Sequence, residues 1–464
     1  MDFFKNKKIT LMGLGLLGRG VGDAVFLAEA GADLTVTDLK SEAELASSID
    51  QLKKFKNVKL VLGEHRLEDF RSADMVIKAA GVPLGSPFVA EAEKNNVPVV
   101  MSSAFFVKLS GVQTIGITGT RAKSTVTDMI YRVLSAVPPV ASESLDPAPK
   151  IFLGGNVRGL STLALLPEVK PSDIAVLELD SWQLQGFADF SPHIAVFTTF
   201  MPDHLNYYGG DMEPYFADKA NIYRFQTPAD FLIVSEQVAE FIKKFGPEPK
   251  SKMIVVHASD LPADLHLKIP GEHNRLNAAL ALAAVKILGD EREEGVSGGE
   301  NIAADTQKIL ATYEGMHGRL SFVKKYKGVD IYNDTNSTTP DATIVALKAF
   351  PPAPAKKVVL IFGGADKKLD MKSLLEILPQ YAKVLVVLPG TGTEIIRGEL
   401  LKMSGECDLP VEFVSSMAEA VEKAVALAEE GDALIMSPGF ASFGLFKNEY
   451  DRGDQFDDIV KKLG

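Results

Sequence analysis

Two short stretches of this sequence combine the residue types that hold phosphate. Gly119-Thr120-Arg121-Ala122-Lys123-Ser124-Thr125 follows the apolar run Thr114–Thr118 and opens a helix-like segment from about Lys123. A loop at a helix N-terminus presents backbone N–H groups to phosphate oxygens, a lysine reaches the β- and γ-oxygens, and a hydroxyl can ligate Mg2+. This is ATP-binding chemistry, although Ala122 stands where glycine usually precedes the lysine. A structural strand-to-helix turn without ligand is the alternative. The second stretch, Gly13-Leu14-Gly15-Leu16-Leu17-Gly18, follows Lys8–Met12. Its glycines permit a tight turn and close approach of a phosphate to a helix N-terminus. Asp38 lies twenty residues beyond Gly18, where a carboxylate can accept from a ribose hydroxyl. Taken alone, this motif fits a nucleotide diphosphate site, a nicotinamide dehydrogenase, or an unliganded glycine turn. Glu178 closes another apolar run. A carboxylate at a strand end, near a loop hydroxyl, suits Mg2+, which takes oxygen ligands.

The elements that must position these groups alternate between strand and helix. Strands are expected at Lys8–Met12, Leu34–Thr37, Val58–Val61, Met75–Lys78 and Val97–Met101, with a helix over Gly20–Ala30. A second set is expected at Thr114–Thr118, Ile174–Leu179, Ile194–Thr198, Phe231–Val234 and Met253–Val256, followed by an alanine-rich helix over Asn274–Leu288. The third comprises Val329–Tyr332, Lys357–Phe362, Val384–Leu388 and Ala433–Met436, with a helix over Met417–Glu430. Pro138–Lys150 reads as a surface loop. The expected fold is α/β in three domains: a Rossmann-like domain over 1–101, a central P-loop ATPase-like domain with a mainly parallel sheet over 102–315, and a Rossmann-like domain over 316–464.

Composition narrows the partners. Of 464 residues, 46% are hydrophobic, enough for several separate cores, and the formal net charge is −12. An acidic surface repels nucleic acid and anionic lipid, so any anionic substrate must be held by local basic groups and helix N-termini. The single cysteine, Cys407, excludes an intramolecular disulfide and suits a reducing cytoplasm. No apolar run is long enough to span a bilayer.

Read in order, the motifs resemble the Mur ligase superfamily. Thr118-Gly119-Thr120 with Lys123-Ser124 is followed by Gly154-Gly155-Asn156, by Leu177-Glu178-Leu179-Asp180-Ser181-Trp182-Gln183-Leu184, by Asp203-His204 and by Lys219. Gly271-Glu272-His273-Asn274 with Asn277-Ala278 comes next, then Arg319 and Asn333-Asp334. Gly363-Gly364 with Lys367, and Ser437-Pro438 leading to Ser442, Phe446-Lys447-Asn448 and Arg452-Gly453, look most like the branch that attaches glutamate. The resemblance covers essentially the whole chain.

It implies an ATP-dependent amide-forming ligase of peptidoglycan synthesis, cytoplasmic and monomeric, using ATP and two Mg2+ ions. Its small-molecule substrates would be UDP-N-acetylmuramoyl-L-alanine and D-glutamate, with no nucleic acid or membrane partner. ATP would be held by Gly119, Thr120, Arg121, Ala122, Lys123, Ser124 and Thr125, with Asn277 near adenine, Arg319 on phosphate and Asp334 on ribose. A site drawn from two domains implies closure. Lys123, Glu178, His204 and Lys219 would be catalytic. Ser124, Glu178, His204 and a carbamylated Lys219 would ligate metal, although Lys219 alone reads as a surface helix residue. Gly15, Leu16, Leu17, Asp38, Gly81 and Asn156 would bind the UDP substrate. Thr338, Lys367, Ser442 and Phe443 would bind the amino acid. The sequence departs from the pattern at Ala122, at Leu17 in place of a hydroxyl residue, at Asn336 in place of a lysine, and near Glu449, where Tyr450 adjoins an expected aromatic position. A Mur-type ligase for L-glutamate or another amino acid, a folylpolyglutamate synthase-like ligase, and a non-catalytic nucleotide-binding paralogue are the rival readings. The last two leave either the Gly13–Gly18 turn or the joint presence of Lys123, Glu178, His204 and Lys219 without a purpose.

Overall fold

The computed structural model describes residues 2–16, 18–137, 148–204, 207–292, 298–355, 357–407 and 409–464. Leu17 and most of the loop expected over Pro138–Lys150 lie outside the described residues. The chain divides into two compact units, Met1–His257 with Ala279–Thr306, and Ala258–Ala278 with Gln307–Gly464.

The first unit carries two parallel sheets. Strands β1 (Lys8–Met12), β2 (Asp33–Asp38), β3 (Val58–Leu62), β4 (Met75–Lys78) and β5 (Val99–Val100) pair in the order β3-β2-β1-β4-β5. Strands β6 (Gln113–Thr118), β7 (Ile151–Gly155), β8 (Ile174–Glu178), β9 (Ile194–Phe197), β10 (Phe231–Ser235) and β11 (Lys252–Val256) pair in the order β11-β10-β9-β6-β8-β7. In each sheet the order reverses beside the strand that runs into a glycine loop: β1 into Gly13 and β6 into Gly119. Ligands of open α/β sheets bind at that point, outside the carboxyl ends of the strands. Central strands such as β8 and β9 are buried along their whole length, so they read as continuous apolar runs rather than alternating ones.

The second unit holds a mixed sheet. Strands β12 (Ser321–Tyr326), β13 (Val329–Asn333), β14 (Val358–Phe362), β15 (Ala382–Val387), β16 (Val411–Phe413) and β17 (Ala433–Met436) pair in the order β12-β13-β17-β14-β15-β16. Only β12 is antiparallel to its neighbour. Three edge strands are absent from the sequence expectation. β7 ends in two glycines, β12 carries two lysines, and β16 is three residues long, so none shows a continuous apolar run. Val97–Met101 pairs only at Val99–Val100, the helix expected over Met417–Glu430 ends at Leu427, and the alanine-rich helix extends over Glu272–Arg292.

One ionic contact fastens that long helix to the second sheet. His193, just before β9, places Nδ1 2.7 Å from Asp230 Oδ1 and Nε2 2.9 Å from Glu291 Oε2. A carboxylate on each ring nitrogen makes both nitrogens donors, the imidazolium form. Burial lowers the His193 pKa, but the bonds to Glu291 and Asp230 outweigh it and leave the pKa above its ordinary 6.5. A raised folded-state pKa stabilises fully below the unfolded pKa and loses that contribution as pH rises through the folded value. Thermal denaturation should therefore show His193→Gln destabilised by about 1 kcal/mol at pH 6, with most of the difference gone at pH 9.

Candidate active site

The loop after β6 is held by the end of β9. Thr120 N–H donates to Thr199 O at 2.7 Å, Arg121 N–H to Thr199 Oγ1 at 2.9 Å, and Thr198 Oγ1 to Arg121 O at 2.6 Å. A Cβ on Gly119 would meet Thr198 Oγ1 at 2.0 Å, and its φ is +149°, so glycine is required there. Lys123 Nζ folds back to Gly119 O at 3.0 Å and Thr120 O at 3.1 Å. Lys219 Nζ reaches the same Gly119 O at 2.9 Å from the helix Met212–Arg224. Two ammonium groups from distant points of the chain thus converge on one loop carbonyl.

Lys219 is not the surface residue its helix position suggested. It is 1% exposed, and no carboxylate lies within ion-pair distance of it among the described residues. Burial, then the neighbouring Lys123 charge, push its pKa well below the ordinary lysine value, against the weaker pull of Asp180, Asp203 and Asp218. Its ammonium stands 4.9 Å from the Tyr215 ring centroid, and Tyr215 OH is 3.2 Å from Thr120 Oγ1. His204 meets the same tyrosine at 6.3 Å between ring centroids and packs on Trp182 at 4.7 Å. His204 has φ +53°, a left-handed conformation uncommon for residues other than glycine.

Glu178 lies at the end of β8 with 5% exposure. Its carboxylate accepts one long bond, from Asn156 Nδ2 at 3.3 Å, and has no cationic partner among the described residues. Asn156 N–H donates to Glu178 O at 2.7 Å, and a Cβ on Gly155 would come within 2.0 Å of that same oxygen. The glycine therefore lets β7 close on Glu178. Arg19 completes the chain by donating to Asn156 Oδ1. A buried carboxylate with one weak partner, on the sheet whose β6 leads to the Ser124 hydroxyl, is the hard oxygen donor set that Mg2+ prefers. No cluster of three or more His, Cys, Asp or Glu side chains preassembles among the described residues.

The first sheet and the second together enclose a cavity of about 650 Å³. Gly13, Gly15, Leu16, Asp38 and Gly81 line it from one side, Gly155 and Gln183 from the other. Asp38 has a task the sequence did not suggest: Oδ2 accepts from Leu14 and Gly15 N–H at 2.9 and 3.0 Å, and Oδ1 from Lys40 N–H at 2.9 Å. The carboxylate holds the glycine turn itself.

Described separately, the second unit gathers the other expected residues. Asp334 is buried, accepting from Leu320 N–H at 3.0 Å and Ser437 Oγ at 2.7 Å, and burial pushes its pKa up to about 6. It thereby fixes the turn that carries Arg319. Lys367 Nζ donates to Thr338 Oγ1 at 2.8 Å. Ala365 and Ala441 exchange backbone bonds at 2.9 and 3.1 Å, which sets the Lys367 loop beside Ser442. Ser442 is buried, whereas Phe443 is exposed. Asn277 Nδ2 donates to Asn274 Oδ1 at 3.2 Å, and Asn274 Nδ2 to Pro270 O at 2.7 Å, so the pair braces the start of the helix Glu272–Arg292.

Family models match along the chain in the same order. A Mur ligase MurD-like N-terminal domain matches residues 7–101, a Mur ligase middle domain 117–261, and a Mur ligase glutamate ligase domain 318–440. A UDP-N-acetylmuramoylalanine–D-glutamate ligase of Borreliella burgdorferi (strain ZS7) is 33% identical over 475 residues, covering 100% of both chains. The chain belongs to the Mur ligase family. A ligase of the same name from Roseiflexus sp. (strain RS-1) is 33% identical over 490 residues, 98% of this chain and 99% of its own. The MurF ligase of Thermotoga maritima, solved in complex with ADP, shares the fold with a TM-score of 0.55 at 15% identity, covering 99% and 96% of the two chains. This Mur ligase is accordingly an ATP-dependent amide-forming enzyme.

Thr198, Thr199, Tyr215 and Arg19 of this Mur ligase escaped the sequence reading. The two threonines directly after an apolar strand facing a glycine loop were a usable signal, whereas Tyr215 and Arg19 had none. Ala122, which departs from the expected glycine, sits at φ +66° and caps the helix Lys123–Ala136. An L-residue in the left-handed region carries about 1 kcal/mol of strain that glycine does not. Ala122→Gly should raise the unfolding free energy by about 0.5–1 kcal/mol in denaturant titrations, and Ala122→Val should lower it.

Proposed function

We propose that this ligase joins D-glutamate to UDP-N-acetylmuramoyl-L-alanine with conversion of ATP to ADP and phosphate, acting in the cytoplasm. The observation that carries the proposal is the convergence of Lys123 and Lys219 on Gly119, next to the buried, weakly partnered Glu178. A carboxylate is a poor acyl donor. Transfer of the γ-phosphoryl group to the acceptor's carboxylate oxygen gives an acyl phosphate. The amine of glutamate then attacks its carbonyl carbon, expels phosphate and loses a proton. The protein's part in phosphoryl transfer is positioning and charge neutralisation.

In this reading the N–H groups at the start of the helix, from Ala122 to Thr125, and the Lys123 ammonium hold the ATP phosphates, the Thr120 and Arg121 N–H groups being engaged by Thr199. Mg2+ held by Ser124, Glu178, His204 and a carbamylated Lys219 would neutralise charge on the phosphoryl oxygens. Lys219 is suited to carbamylation because a desolvated amine gives up its proton and becomes a nucleophile toward CO2. Arg319, Asp334 and Asn277 serve the nucleotide, and Thr338, Lys367 and Ser442 the distal carboxylate of glutamate. The full-length likeness to ligases named for D-glutamate supports that amino acid over its enantiomer.

ADP formation should require ATP, UDP-N-acetylmuramoyl-L-alanine and D-glutamate together. Comparable rates with L-glutamate or a diamino acid would overturn the substrate assignment. Lys219→Ala should lose at least about 100-fold in kcat, with partial recovery when a short carboxylic acid is added. Full activity of that variant would remove Lys219 from the mechanism.

A further inference from the structure

Lys78 is a buried cation that the proposed reaction does not use. It ends β4, is 2% exposed, and lines the cavity between the first two sheets. Its one hydrogen bond among the described residues runs from Nζ to Val82 O at 2.8 Å. An ammonium has three N–H donors, so two remain for another acceptor. Burying a charge is costly unless it is paired, and no carboxylate lies within ion-pair distance of this one among the described residues. Asp180 and Asp218 act on it only through space.

Its place beside the glycine turn is fixed by the sheet. Lys78 is the register partner of Met12, the residue before Gly13, and a Cβ on Gly13 would press on Ala79 Cβ at 2.7 Å. The turn's own Leu14 and Gly15 N–H donors are spent on Asp38. In a chain of net charge −12, an anion beside this turn therefore needs side-chain cations. We propose that Lys78 binds the diphosphate of the uridine-nucleotide substrate and is a specificity-determining residue of the cavity. This rests on the function proposed above for the nucleotide part of the substrate, and not on the ligation step.

Burial lowers the Lys78 pKa to about 8, which leaves the amine mostly protonated at neutral pH. The other charged or titratable groups lining the cavity are Arg19, Asp23, Asp38, Lys40 and His65. UDP affinity of the wild type should accordingly weaken as pH rises above about 8, as the lysine loses its proton.

The test is competition binding of UDP, uridine and the complete UDP-N-acetylmuramoyl-L-alanine to wild type and Lys78→Met. The variant should lose about 10- to 100-fold in UDP affinity, change less than about twofold toward uridine, and lose the decline above pH 8. Equal losses for UDP and uridine would show that Lys78 only packs the Val82 loop and would overturn the proposal. So would unchanged UDP affinity, including the case in which only the complete acceptor binds less well, because the lysine would then meet its carboxylate. Should Lys78→Met not fold, Lys78→Gln removes the charge while retaining an N–H donor, and the same outcomes apply. Wild type that binds UDP through Lys78 yet forms no ADP with acceptor and D-glutamate would sink the ligation reading and leave this one standing.

Discussion

A lysine ammonium taken out of water with a carbonyl as its only hydrogen-bond partner among the described residues is the constraint around which the first unit is arranged. Lys219 is delivered to Gly119 O by the helix Met212–Arg224, and the Lys123 ammonium arrives at the same oxygen. Two like charges at one carbonyl repel, and in a site that excludes water the repulsion is weakly screened. The arrangement is relieved if one lysine becomes neutral or acquires negative charge, or if phosphate arrives. All three suit an enzyme that moves a phosphoryl group. The rest of the unit positions this point: β6 brings the loop, β9 straps it through Thr198 and Thr199, and β8 brings Glu178.

Glycines set how closely those strands approach. Gly119 admits the Thr198 hydroxyl and Gly155 admits the Glu178 carbonyl, in both cases to distances that a Cβ would forbid. Ala122 shows the opposite choice. It holds the left-handed conformation that glycine would adopt freely, so strain is retained beside Lys123, the residue proposed to meet ATP phosphate. The carboxylate of Asp38 acts in the same positional sense by fixing the turn at Gly13–Gly18 rather than leaving its N–H groups open.

Much of this was legible in the sequence because buried parallel strands are continuous apolar runs, and strand-end motifs such as Gly119–Thr125 and Glu178 announce themselves by position. Edge strands β7, β12 and β16 were not legible, since glycine pairs, lysines and short length erase the apolar signal. The burial of Lys219 could not be read from a helix of mixed composition. It depends on the neighbouring Tyr215, itself packed on Phe200, which covers the site only once the strands are assembled. The roles of Lys78 and Arg19 depend on a cavity formed by two sheets, which no local pattern encodes. No local pattern encodes the Lys367–Thr338 bond or the Ala365–Ala441 bridge that sets the Lys367 loop beside Ser442.

The central claim is that the Lys219 amine gives up its proton and is carbamylated. It is tested most directly by 13C NMR of the protein equilibrated with 13C-labelled bicarbonate. The account predicts a carbamate carbonyl resonance in wild type that is missing from Lys219→Arg, whose side chain stays protonated. A spectrum with no such resonance, or one unchanged by the substitution, would contradict it.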